Sequence, residues 1–180
     1  MSDTDRPAVY SSSQMLAHWL VVFLILFQLV LGWTGVQRDF EAAIETGQSV
    51  VSGPIVVHGI FGSSILIVML WRLTLRLRRG APPPPDNESK MIQRLSRGNH
   101  YAFYVVLIAM PPVGLGAALL RSEVLAWVHA LTAYLLVVLI ILHISGAVWH
   151  LTKKDGVVHR MIRRDPATSD TVDEVVSDRT

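Results

Sequence analysis

Four separate stretches of this chain stay apolar long enough to cross a lipid bilayer as helix: Met15 to Gly35, Pro54 to about Leu75, Tyr101 to about Leu120 and Val124 to about Leu151. Each approaches or exceeds the roughly 20 residues that a hydrocarbon core demands. The expected fold is therefore all-α, an integral membrane four-helix bundle. Composition agrees, since 51% of the 180 residues are hydrophobic and 17% charged, which does not suit a soluble domain with one hidden core. The first stretch follows the polar run Ser11-Ser12-Ser13-Gln14. It is longer than a signal-peptide core and has no small-residue cleavage pattern after it, so it reads as a retained span. The chain divides into a polar segment over 1–14, a membrane domain over 15–154 and a tail over 155–180, expected to be largely disordered after residue 166 for want of periodicity.

Charge sets the orientation. The connection between the second and third stretches, with the ends that border it, holds Arg72, Arg76, Arg78, Arg79, Lys90, Arg94 and Arg97, and the tail holds Lys153, Lys154, Arg160, Arg163 and Arg164. Basic loops stay on the cytoplasmic side, so both termini are expected to be cytoplasmic. The segment from Val36 to Gly53 has Arg38 against Asp39, Glu41 and Glu45, and the short third connection has Arg121 with Glu123; these face outward. Trp19, Trp71 and Trp149 then fall at the inner interface and Trp33 and Trp127 at the outer one, where amphipathic rings prefer to lie. Pro82 to Pro85 reads as a stiff linker and Met91 to Gly98 as a short basic interfacial helix. Pro111-Pro112 should kink the third span and leave carbonyls in need of partners.

The absence of cysteine excludes disulfides, thiolate metal sites, iron-sulfur clusters and covalent haem attachment. Histidine is the informative residue instead. His18, His58, His129, His143 and His150 lie within or at the ends of the apolar stretches, and His100 opens the third. An imidazole in hydrocarbon is costly unless bonded or coordinated; a lone one reads as a helix-to-helix hydrogen bond, a set at matching depths as a site. His129 and His143 are 14 residues apart, nearly one face of a helix and about 21 Å along it, which puts one in each leaflet. His58 enters from outside at the depth of His129, and His18 from inside at the depth of the inner histidine. Zinc would need further ligands that these depths lack, whereas haem iron needs two axial ligands and takes the rest from the porphyrin. Two haems, each between two imidazoles, are expected. By spacing alone His18 can meet His143 or His150, with His100 a further contender, but the rise of about 10 Å from His143 to His150 is too small for a haem on each. Gly59, Gly62 and Gly146 offer close approach for a macrocycle or ordinary helix packing. Arg72 and Arg76 suit haem propionates or simply set topology.

The segments Gln14-Met15-Leu16-Ala17-His18-Trp19-Leu20, His58-Gly59-Ile60-Phe61-Gly62, Leu70 through Leu77, His100 through Gly114, and the pair His129 and His143 together resemble the bacterial cytochrome b561 family over about Tyr10 to Arg164. The resemblance implies two b-type haems, His18 with His143 on the cytoplasmic side and His58 with His129 on the periplasmic side. It further implies a multi-pass protein of the bacterial inner membrane that passes electrons from a periplasmic donor to quinone, in the manner of a superoxide:ubiquinone oxidoreductase. A quinone site near the inner haem needs a polar group, and His150 beside Trp149 and Lys153 fits. The expected partners are lipid, quinone, and superoxide or a redox protein; a homodimer is compatible, and no nucleic acid is expected. The short outer connection and the acidic outer segment do not favour an anionic radical. Two other readings stand beside this one: a cytochrome b anchor fed by a dehydrogenase or hydrogenase, and a haem-free helical scaffold.

Overall fold

The computed structural model describes residues 10–84 and 88–162; the expected disorder after residue 166 lies outside them. Within these residues the chain is all helical, with four helices long and apolar enough to span a membrane. The first span begins as α1, Ser12–Leu31, whose N-cap Ser11 accepts the amide of Gln14 while the Gln14 side chain accepts the amide of Ser11. This reciprocal cap explains why helix starts inside the polar segment, before the apolar run. At Gly32–Val36 the helix loosens into one π-helical stretch and then continues as α2, Gln37–Thr46, which ends at Gly47 in the left-handed conformation. The outer segment expected only as an acidic connection is thus largely helix. It is amphipathic, with Ala43 buried and Glu41 and Glu45 exposed, a pattern that hydropathy over a span-length window does not register.

The remaining spans are α3, Gly53–Arg79, α4, Lys90–Leu120, and α5, Glu123–Lys153, capped at their N-termini by Ser52, Ser89 and Ser122. α4 corrects one expectation, because Met91 to Gly98 is not a separate interfacial helix but the first turns of the span itself. Ser89 caps it, and the helix continues unbroken through Gly98 and Asn99 into the apolar run. The helix also runs on through Pro111 and Pro112.

Spans adjacent in the chain pack against one another: α1 on α3, α3 on α4 and α4 on α5. They share a core of Ala17, Val21, Leu24 and Ile25 from α1, Ile65, Val68 and Met69 from α3, Val106 and Leu107 from α4, and Leu136 and Leu139 from α5. The outward faces carry exposed Leu, Ile, Val, Phe and Trp, among them Phe23, Ile67, Val105 and Ile141, as lipid-facing surfaces should. α1 and α5, and likewise α3 and α5, approach less closely.

The two ends differ. At one, Arg121 takes the left-handed C-cap of α4 and donates to the carbonyls of Gln48 and Ala43, tying the turn between α4 and α5 to the α2 segment. At the other, the start of α1 meets the end of α3 through Gln14 Nε2 donating to the Gly80 carbonyl at 3.0 Å and Arg79 donating to the Ser13 hydroxyl. The first residues of the tail also dock there. A short 3₁₀ turn, Val158–Met161, accepts from the Trp19 indole at the Met161 carbonyl, and Arg160 donates to the Pro83 carbonyl. The tail is therefore anchored as far as residue 162, and both ends of the described chain lie at the same end of the bundle.

Candidate functional site

Two pairs of imidazoles face one another inside the bundle. His58 on α3 and His129 on α5 have ring centroids 6.0 Å apart, at the level of the α2 end. His18 on α1 and His143 on α5 are 6.2 Å apart, at the terminal end. The 14 residues between His129 and His143 set the two pairs about 21 Å apart along α5. Each pair bridges two helices that do not pack closely, α3 with α5 and α1 with α5. Among the described residues no group of three or more His, Asp or Glu is placed to hold a metal ion.

The surroundings of His129 are the most informative. Its Nδ1 lies 3.1 Å from the Met110 carbonyl, and because a carbonyl only accepts, Nδ1 carries the proton and Nε2 keeps its lone pair. That is the tautomer of a metal-ligating imidazole held by its second nitrogen. The Met110 carbonyl that holds the ring lies just before Pro111-Pro112 and is not one of the two carbonyls, of Leu107 and Ile108, whose helical donors the prolines remove. Gly114 makes room for the ring: a Cβ there would lie 2.7 Å from His129 Cε1 and 2.9 Å from Nδ1. Opposite, the His58 carbonyl accepts from Gln28 Nε2 at 2.8 Å, and His58 Nδ1 is a buried nitrogen without a hydrogen-bond partner.

In the second pair, His18 Nδ1 receives Arg72 at 2.7 Å. A guanidinium only donates, so this ring accepts at Nδ1, and presenting a lone pair at Nε2 requires the proton to move to Nδ1 and Arg72 to swing aside. Arg76 lies over the Tyr101 and Tyr104 rings at 5.8 and 6.0 Å. His143 also meets His100 edge-on at 5.2 Å and Phe103 at 5.6 Å, and His100 Nδ1 donates to the Ser96 carbonyl. His150 is elsewhere, with Asp155 at 2.6 Å and Glu88 at 3.4 Å. Its expected companions turn to each other, Lys153 Nζ lying 5.0 Å from the centre of the half-exposed Trp149 ring.

Of the glycines singled out in the sequence, Gly62 backs onto Gln28, where a Cβ would lie 3.2 Å from Nε2, while Gly59 and Gly146 face open space. Gly114, Gln28 and Glu88 are the contacts that sequence reasoning did not assign. Gly114 carried a signal, being two residues past a proline pair in a segment with family character; Gln28, an amide in the middle of an apolar run, carried another.

A membrane bundle with two facing histidine pairs at separate depths has the form of a multi-pass protein with paired imidazoles suited to ligating a flat group between its helices. The family model described as prokaryotic cytochrome b561 matches residues 9–164, and the chain belongs to that family. It is a multi-pass bacterial membrane cytochrome of electron transport, and b-type haem follows from the family. A probable superoxide oxidase CybB of Yersinia pestis is 28% identical over 120 residues, covering 66% of this chain and 62% of that protein. A cytochrome b562 of Cereibacter sphaeroides is 25% identical over 161 residues, covering 89% of this chain and 98% of that one. Membership in a haem-protein family removes the haem-free scaffold.

The residues present fit such a group. An imidazole nitrogen sits about 2 Å from a ligated metal and about 1.1 Å from its own ring centre, so two rings on one iron have centres about 6 Å apart. Both pairs have that spacing. The edge contact of His100 with His143 is shorter, and His150 is engaged with carboxylates.

Proposed function

We propose that this chain holds two b-type haems, His58 with His129 and His18 with His143, and carries electrons across the bacterial inner membrane from superoxide outside to ubiquinone inside. The observation that carries the reading is the spacing of 6.0 and 6.2 Å within two imidazole pairs that each join helices otherwise apart. The basic terminal end, with Arg76, Arg78, Arg79 and Lys153, supports placing both termini in the cytoplasm. When bound, haem ligated by two imidazoles supplies reversible one-electron transfer without an open coordination position.

The chain's own residues have definite tasks. Met110 orients His129 through Nδ1, and Gln28 fixes the backbone that carries His58. Arg72, beside His18, and Arg76, over Tyr101 and Tyr104, are the cations that would meet propionates at the terminal end, and the open space at Gly146 would admit a flat ring edge. Superoxide gives up its electron without bonding to iron, so the outer face needs no acid or nucleophile. Quinone needs protons, and His150, near Trp149 and Lys153, supplies the polar group at the inner edge.

The test is stopped-flow mixing of purified protein with superoxide. A reduced b-type band should appear rapidly and decay when ubiquinone is added, and indifference to superoxide overturns the donor assignment. A second reading has one observation in its favour. The helix α2 presents Glu41 and Glu45 outward one turn apart, a surface suited to a basic redox protein. Reduction by such a protein, but not by superoxide, selects the electron-accepting anchor.

A further inference from the structure

We infer that Glu88, His150 and Asp155 form a proton relay at the terminal end of the bundle that feeds quinone reduction, an inference that rests on the quinone reading above. The three side chains come from separate stretches of chain, the connection before α4, the last turn of α5 and the docked tail, and all three are withdrawn from solvent, with side-chain exposures of 3%, 12% and 8%. His150 Nδ1 lies 2.6 Å from Asp155 Oδ2, and His150 Nε2 lies 3.4 Å from Glu88 Oε1. Each ring nitrogen thus faces its own carboxylate. Two acids on opposite nitrogens of one imidazole cannot share a metal ion, but one can fix the ring through Nδ1 while the other returns a proton to Nε2.

The two acids differ. Asp155 is held at both oxygens, by His150 and by the Val157 amide, and so acts as a positioning residue that keeps the ring turned. Glu88 has its backbone carbonyl fixed by Gln93 Nε2, yet its Oε1 is buried with no hydrogen-bond donor. A polar oxygen left this way costs free energy, and here it faces the nitrogen it would reload. Among the described residues neither acid has a lysine or arginine within ion-pair distance. The nearby cations are otherwise engaged or lie on the cleft wall: Lys153 is over Trp149 and Arg160 is on the Pro83 carbonyl, while Lys154 and His159 line the cleft beside His150.

Quinone takes up two electrons, released by two one-electron oxidations of the donor on the far side, and two protons from this side. For each proton the Nε2–H bond of His150 breaks as a quinol O–H bond forms. Glu88 then returns a proton to Nε2 and is itself recharged from water through the cleft.

The experiment uses the intact haem-loaded protein in detergent with a short-chain ubiquinone, and compares the wild type with Glu88→Gln, Glu88→Asp and Asp155→Asn. Two rates are followed, haem reduction by the donor without quinone and quinol formation in turnover. For Glu88→Gln, quinol formation should fall on the order of 100-fold while donor-driven haem reduction stays unchanged. Glu88→Asp should recover part of the loss, and Asp155→Asn should cost about tenfold. The wild-type rate should also slow in deuterated water, a readout that needs no variant to fold. Quinol formation by Glu88→Gln at the wild-type rate, or a wild-type rate indifferent to deuterium, overturns the relay alone. A wild type that forms no quinol overturns the quinone reading and the relay with it.

Discussion

Gly114→Ala tests the proposed haem site of His58 and His129 by one carbon atom. The added Cβ would lie 2.7 Å from Cε1, 2.9 Å from Nδ1 and 3.3 Å from Nε2 of His129. Carbon atoms rest at about 3.5 Å or more, so the ring or the helix must retreat by about 0.8 Å. The ring has no free direction, because Nδ1 is bonded to Met110 on the same helix as Gly114; moving away from one breaks the bond to the other. Overpacking of this kind costs about 1–3 kcal/mol, and the loss of the hydrogen bond adds about 1 kcal/mol. The 6.0 Å spacing to His58 cannot survive that displacement. The purified variant should carry about half the wild-type haem per chain, measured as the pyridine haemochrome, and what remains should be the haem of the other pair. Gly98→Ala, where a Cβ meets nothing within 4 Å, is the control and should keep the full complement. Full haem and an unshifted reduced spectrum in Gly114→Ala would refute the argument that His129 is held by the close approach of α4.

Other outcomes follow from single contacts. Gln28→Leu removes the bond to the His58 carbonyl but also removes Oε1, a buried oxygen without a partner, so the change in thermal stability should stay within about 1 kcal/mol; a loss several times larger would show that Oε1 is satisfied in the working protein. Arg121→Ala deletes two charge-assisted bonds to the Gln48 and Ala43 carbonyls and should cost about 1.5–3 kcal/mol, seen as faster proteolysis or amide exchange across residues 37–50 with haem content intact. At Asp155, burial pushes the carboxyl up, but it is outweighed by the hydrogen bonds from His150 and the Val157 amide and by the charges of His150 and Lys153, which together hold it below its ordinary value of 3.8. A carboxyl depressed in the folded state contributes stability above the unfolded pKa and loses it as pH falls through the folded one. The docked tail should therefore hold at pH 5 and loosen below about pH 4, reported by Trp19 fluorescence through its bond to Met161, and Asp155→Asn should abolish that step.

The spans were legible because hydrocarbon imposes a length and because arginine and lysine mark where the length ends. Their true ends were less so. α2 hides in an acidic stretch whose helical pattern is amphipathic rather than apolar, and the start of α4 hides in a basic stretch that looks interfacial until Ser89 is seen to cap it. The histidine pairs could be anticipated from arithmetic along one helix, since fourteen residues return to the same face. Choosing His143 over His150 took the family resemblance, because periodicity places both on one stripe. What no single-chain pattern reveals is registry between helices: that Gly114 stands opposite His129, that Gln28 reaches the backbone of His58, and that Glu88 from a proline-rich connection ends beside His150.

The order of packing in this bundle has a consequence for its biogenesis. Every close interface joins spans that leave the ribosome one after another, so the four rods can associate in sequence as a strip, each new one docking on its predecessor. What such a strip leaves open is the approach of the last rod to the first two, and it is there that the imidazoles face each other, α5 with α1 and α5 with α3. On the haem ligation proposed above, the pigment is what joins the last rod to the first two, so colour should appear together with completed folding.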